Sequence, residues 1–170
     1  MLARNETILK WLRYILAAAL CFLIQGAALQ RITLWGVIPF VYPLVAVIPA
    51  TYEDPLFGTV FALVTGVVCD LLLVGPFDGF FTLFFTVIGV ISGLIGENLL
   101  PPGWLCGLSV GTMGLLLTGL GRIAALMFRD GGHLLLMFRI ALVETFLSLP
   151  ALLAILPLYR LIHRRCATDY

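Results

Sequence analysis

The chain has 170 residues, 62% of them hydrophobic and only 11% charged, with a net charge of +1. Soluble domains carry about a quarter charged residues, so this sequence cannot cover a globule with polar surface. With a mean hydropathy of +1.13 it reads as an integral membrane protein, and its short tails and loops exclude a nucleotide-binding fold, a soluble catalytic domain and a nucleic-acid surface.

A helix needs roughly 20 apolar residues to cross about 30 Å of hydrocarbon. That measure predicts a single transmembrane domain over residues 1–170, an all-α bundle with six spans near 12–30, 36–52, 56–75, 79–97, 104–127 and 133–159. The first span follows Arg4, Lys10 and Arg13, the order of a signal peptide. Residues 18–21 (AALC) approach a lipoprotein cleavage box, but Leu20 stands where a small residue is needed, so an uncleaved transmembrane helix is expected. Arg31 closes it. The second span holds Pro39, Pro43 and Pro49, each lacking a backbone donor. Either its helix begins near Pro43 behind an irregular segment 31–42, or it is a kinked helix buried among neighbours.

A Glu53-Asp54-Pro55 turn leads to the third span, and Gly75-Pro76-Phe77-Asp78-Gly79 to the fourth. Residues 97–103 and 129–132 make the remaining breaks. Basic tails (Arg4, Lys10, Arg13; Arg160, Arg164, Arg165) and an even number of spans put both termini in the cytoplasm, against an opposing trend from Arg31, Arg122 and Arg129. Trp11, Trp35 and Trp104 fall near span ends, where interfacial anchors sit. Cys21, Cys69, Cys106 and Cys166 show no paired spacing and read as packing residues.

In the third span Gly58, Ala62, Gly66 and Asp70 recur every four residues and form one helix stripe. Small residues at that spacing let a neighbouring backbone approach closely, so Asp70 is expected to face protein. Gly89 with Gly93, and Gly107 with Gly111, mark similar faces on the fourth and fifth helices. Ser92, Thr112 and Thr118 are candidates for hydrogen bonds across helices. Asp70, Arg122, Arg139 and Glu144 lie at or near membrane depth, where an ionisable group is costly unless paired. Depth matching predicts Asp70 paired with Arg122 or Arg139. Glu144 stands about 140° around the helix from Arg139, so it needs another partner, a proton or a polar cavity.

Catalytic signals are thin. His133 and His163 are far apart, and no H-E-x-x-H, G-x-S-x-G or phosphate loop occurs. Asp78 belongs to a Gly/Pro turn, where Asp is a common turn-former. No enzymatic activity, cofactor or metal is expected.

The stretch PLVAVIPATYEDPLFGTVFALVTGVVCDLLLVGPFDGFFTLFFTVIGVISGLI, residues 43–95, resembles the MreD family of bacterial rod shape-determining proteins. Pro43, Gly58, Gly66, Asp70, Leu71, Gly75 and Gly79 fill that family's motif places, while Val67 replaces a typical Leu and the turn reads PFDG. The resemblance implies a non-enzymatic component of the cell-shape and lateral-wall elongation machinery in the bacterial cytoplasmic (inner) membrane. Implied partners are an MreC-like single-span protein and, more widely, MreB, RodA and a class B transpeptidase of peptidoglycan synthesis. On this view the glycine faces, and Asp70, build the bundle on which a partner helix docks. The alternative is a substrate-binding subunit of an energy-coupling-factor vitamin importer, whose fold is similar; Asp70, Arg122, Arg139 and Glu144 would then hold the vitamin. Such subunits tend to carry an A-x-x-x-A stripe on the first helix, whereas Ala17, Ala18 and Ala19 are followed four residues on by Cys21, Phe22 and Leu23.

Overall fold

The structure, a computed structural model, describes residues 2–31, 33, 36–99, 103–130 and 134–167. Trp35 and His133 lie outside the described residues, as do the side chains of Arg4, Arg129, Arg164, Arg165 and Cys166. Among the described residues six α-helices follow one another: α1 (Leu2–Ala27), α2 (Tyr42–Val47), α3 (Pro55–Leu72), α4 (Phe80–Asn98), α5 (Trp104–Asp130) and α6 (Leu134–Ala167). Five are long and apolar enough to cross a membrane, over Ile8–Arg31, Pro55–Leu72, Phe80–Asn98, Trp104–Phe128 and Leu134–His163. The chain is a multi-pass helical membrane protein.

The second helix departs from the expected span. Over residues 36–52 the chain forms only the short α2 and a 3-10 turn, Pro49–Thr51, behind a non-helical segment at 38–41. The prolines explain this. Pro43 sits in the first turn of α2, where its missing N–H is not needed, while Pro39 disfavours helix at the residue before it. The helix does begin near Pro43, and it is also buried, as is every residue from Val41 to Thr51.

This segment nevertheless completes a passage through the bundle. Gln25 of α1 bonds the backbone at residues 39 and 41, and Lys10 of α1 bonds Glu53. Fifteen residues of α1 separate those two levels, about 22 Å of helix. Non-helical backbone at membrane depth needs protein partners. Here Gln25 Nε2 donates to the Pro39 carbonyl at 2.7 Å, its Oε1 accepts from the Val41 N–H at 3.2 Å, and Ser148 Oγ accepts from the Phe40 N–H at 2.9 Å.

Around α2 the core forms in two parts. Leu44, Val45 and Ile48 join Tyr14, Leu152, Leu156 and Tyr159 of α1 and α6. Tyr42, Ala46 and Val47 join Phe80, Phe85, Ile88 and Val110 of α4 and α5. Since lipid is as apolar as leucine, these contacts stabilise through close packing instead of transfer from water. Among the described side chains of α1, the Tyr14, Ala17, Cys21 and Gln25 stripe is buried; Leu12, Leu16, Leu20 and Leu23 face outward. Cys21, Cys69 and Cys106 are free and buried.

Candidate functional site

The α3–α4 hairpin carries the densest part of the motif. α3 ends at Leu72, two residues after Asp70, so the carboxylate stands at the helix end where α4 begins. Helix N-termini leave backbone N–H groups without intrahelical partners. The residue before α4 is Gly79, with φ 80° and no side chain to cap them. Asp70 supplies the cap from the neighbouring helix: Oδ1 accepts from the Phe81 N–H at 3.0 Å, and Oδ2 from the Thr82 N–H at 2.8 Å and the Thr82 hydroxyl at 2.5 Å. An anion here also meets the positive end of the helix dipole.

The expected pairing of Asp70 with Arg122 or Arg139 is therefore overturned. Its oxygens are already engaged by α4, and it lies nearer the helix end than the longer predicted span implied.

The small-residue stripe does what its spacing suggests. A Cβ added at Gly66 would stand 2.6 Å from the Thr82 Cα and 2.8 Å from the Phe81 carbonyl oxygen. One at Gly89 would meet the Ala62 Cβ at 2.6 Å, and one at Gly93 the Pro55 Cα at 2.9 Å. Gly58 faces α2's exit, 2.5 Å from the Ala50 Cα by the same construction. These neighbours are backbone or Cβ atoms, which cannot swing aside. Gly107 and Gly111 of α5 instead face the side-chain tips of Leu156 and Leu152 on α6. Asp70 thus fastens one end of a hairpin whose two helices approach closely at Gly66, Gly89 and Gly93.

Glu144 finds its partner on α5. Arg122 Nη2 lies 2.7 Å from Glu144 Oε1, with side-chain exposures of 31% and 11%, so one member is nearly dry and the other a third open. The Phe40 ring lies 4.8 Å from the guanidinium carbon, within cation–π range. Ser148 donates to the Glu144 carbonyl at 2.8 Å while accepting from Phe40. The pair therefore joins α5, α6 and the non-helical segment. The void beside it measures about 10 Å³, on the order of one water's needs.

Arg139 joins neither acid; it is exposed on α6. The four charges occupy three separate places, with Asp70 at α4, Arg122 and Glu144 together, and Arg139 outside. Ser92, Thr112 and Thr118 bond carbonyls four residues back in their own helices at 2.6, 2.9 and 2.7 Å, not across helices as expected. The Thr82 hydroxyl, by contrast, bonds across helices to Asp70. Trp11 lies 5.8 Å from Tyr14 and 5.7 Å from Phe57 between ring centroids, while Trp104 is exposed at the start of α5.

Two polar groups carry more than the sequence reading gave them. Gln25 was legible as the lone amide in the apolar run YILAAALCFLIQGAAL, four residues after Cys21. Glu53 reads as a turn residue, yet its side chain is 8% exposed and gathers Lys10 Nζ at 2.5 Å, the Tyr14 hydroxyl at 2.9 Å and His163 Nδ1 at 3.4 Å. That cluster ties the N-terminal part of α1 and the C-terminal part of α6 to the turn before α3. Basic residues near both tails were its available signal.

Chemically, these groups hold helices in place. Asp70 accepts three hydrogen bonds, and Glu144 is matched by a cation. Among the described residues, no three His, Cys, Asp or Glu side chains converge in a metal-binding group. Comparison of the chain with known protein families, curated proteins and solved structures returns no match.

Proposed function

We propose that this chain is a non-enzymatic membrane scaffold of the bacterial cell-shape and lateral-wall elongation machinery. On this reading it lies in the cytoplasmic membrane with both termini inside, and docks an MreC-like single-span protein. MreB, RodA and a class B transpeptidase form the wider assembly. The reading starts from the resemblance of residues 43–95 to the MreD family. The observation that supports it most is the α3–α4 hairpin, in which Gly66, Gly79 and Asp70 of that motif meet at the start of α4. A motif whose residues make a close-packed hairpin suits a docking frame, and the small void of about 10 Å³ beside Arg122–Glu144 suits it as well.

The importer reading needs Asp70, Arg122, Arg139 and Glu144 around one ligand, and no observation favours it over the scaffold. Affinity purification of the tagged protein in mild detergent separates the two. Recovery of a single-span protein with an external coiled coil, together with wall synthases, is the expected result. Recovery of paired ATPases with a transmembrane coupling subunit contradicts the scaffold reading.

A further inference from the structure

Arg139 is the charge the interior does not use. It lies on the outward face of α6 among the exposed Leu135, Leu136, Phe138 and Leu142. Its position is five residues into α6, about 8 Å along the axis from Leu134. A guanidinium on a lipid-facing surface is costly at the bilayer centre, but at this distance from a helix end it reaches the headgroup layer. The nearby acid Glu144 is already held by Arg122.

Two hollows flank Arg139, separated by the Leu136–Arg139–Val143 ridge that lines both. One, of about 270 Å³, lies between α6 and the Gly36–Val37 backbone. There Gly36 has φ 77°, and a Cβ added to it would meet nothing within 4 Å, so the wall is bare. The other, of about 660 Å³, is shallower and is lined by Leu135, Phe138 and Leu142. The narrower hollow offers a hydrocarbon chain an apolar wall of Val37, Leu136, Ile140 and Val143 beside the guanidinium.

We propose that Arg139 and its two hollows form a binding site for an anionic diacyl glycerophospholipid. The guanidinium takes the headgroup phosphate through charge-assisted hydrogen bonds, and the acyl chains lie on either side of the ridge. This site is independent of the scaffold reading and requires no partner protein.

Native mass spectrometry of the full chain in detergent tests it, with phosphatidylglycerol and phosphatidylcholine of identical acyl chains as probes. The wild type is expected to retain phosphatidylglycerol preferentially. Arg139→Gln is expected to lower that retention about tenfold, with phosphatidylcholine retention unchanged. Arg139→Lys is expected to keep most of it, and Val143→Trp, which fills the ridge flank, to lower retention of both lipids. Since Arg139 is exposed, an unchanged melting temperature will show that the variant is folded. Equal phosphatidylglycerol retention in wild type and Arg139→Gln overturns the proposal. Competition by glycerol phosphate as effective as by the whole lipid also overturns it, because the site is then a simple anion site. So does a photocrosslinker at position 140 that captures a protein in membranes and no lipid.

Discussion

Asp70 shows how far a single residue's chemistry can be read before its neighbours are known. Its place on the glycine stripe said that it faces protein, and it does. The choice of partner failed because depth matching compared charges with charges, whereas the strongest donors nearby were backbone N–H groups of α4. Gly79 before α4 was the missed hint, since a helix start without a capping side chain must find an acceptor elsewhere. Asp70→Ala is expected to destabilise the bundle by about 1–2 kcal/mol, the usual cost of a lost cap, in detergent-induced unfolding. Thr82→Val, which removes only the hydroxyl donor, should cost less. Equal stability of Asp70→Ala and wild type contradicts the capping role.

Arg122 and Glu144 permit a second comparison. Removing one partner of a buried pair leaves the other uncompensated, at about 3–5 kcal/mol when both are dry; exposure of Arg122 brings the expected cost of Glu144→Ala below that range. The Arg122→Ala, Glu144→Ala double variant should lose less stability than the two single losses added together. Additive losses in that cycle mean the residues do not interact.

Among the elements, α3 and α4 were the most legible and α2 the least. Glycines four residues apart specify a close approach whatever the partner helix, so the faces at Gly58, Gly66, Gly89 and Gly93 could be named in advance. What they pack against was not written in the spacing. The two kinds of neighbour give a testable contrast. Gly66→Ala forces its Cβ into the Thr82 backbone and is expected to cost about 1–3 kcal/mol. Gly107→Ala meets the tip of Leu156, which can rotate, and should cost less. The reverse order in thermal unfolding contradicts this packing account. α2 was obscure because three prolines rule out a full-length helix without saying how the freed backbone is satisfied. The answer came from Gln25 and Ser148, on helices distant in sequence. Gln25→Leu, close in size but unable to bond, should loosen residues 39–41 and speed exchange at the Val41 amide.

At the level of the whole molecule, membrane character followed from composition, and five of the six helices from hydrophobic length. The organisation of the interior did not. α2 contributes to both parts of the core, so a short buried helix that spans nothing by itself is the piece against which α1, α4, α5 and α6 close. Glu53, together with Lys10, Tyr14 and His163, fixes the end of the bundle where the N-terminal turns of α1 and the C-terminal turns of α6 meet. Short-range pattern could not reveal this, since the Glu53–His163 contact joins residues 110 apart in the chain. The separate placement of Asp70 at the start of α4 and of the Arg122–Glu144 pair between α5 and α6 favours a bundle held together by separate polar clasps.

Site-resolved hydrogen exchange on the reconstituted full chain, wild type against Asp70→Ala, tests that view most directly. Loss of the carboxylate should speed exchange at the Phe81 and Thr82 amides by about tenfold or more, while the Val41 amide held by Gln25 stays protected. Unchanged protection at Phe81 and Thr82 would mean that Asp70 does not hold the start of α4, and its place in the motif would need another explanation.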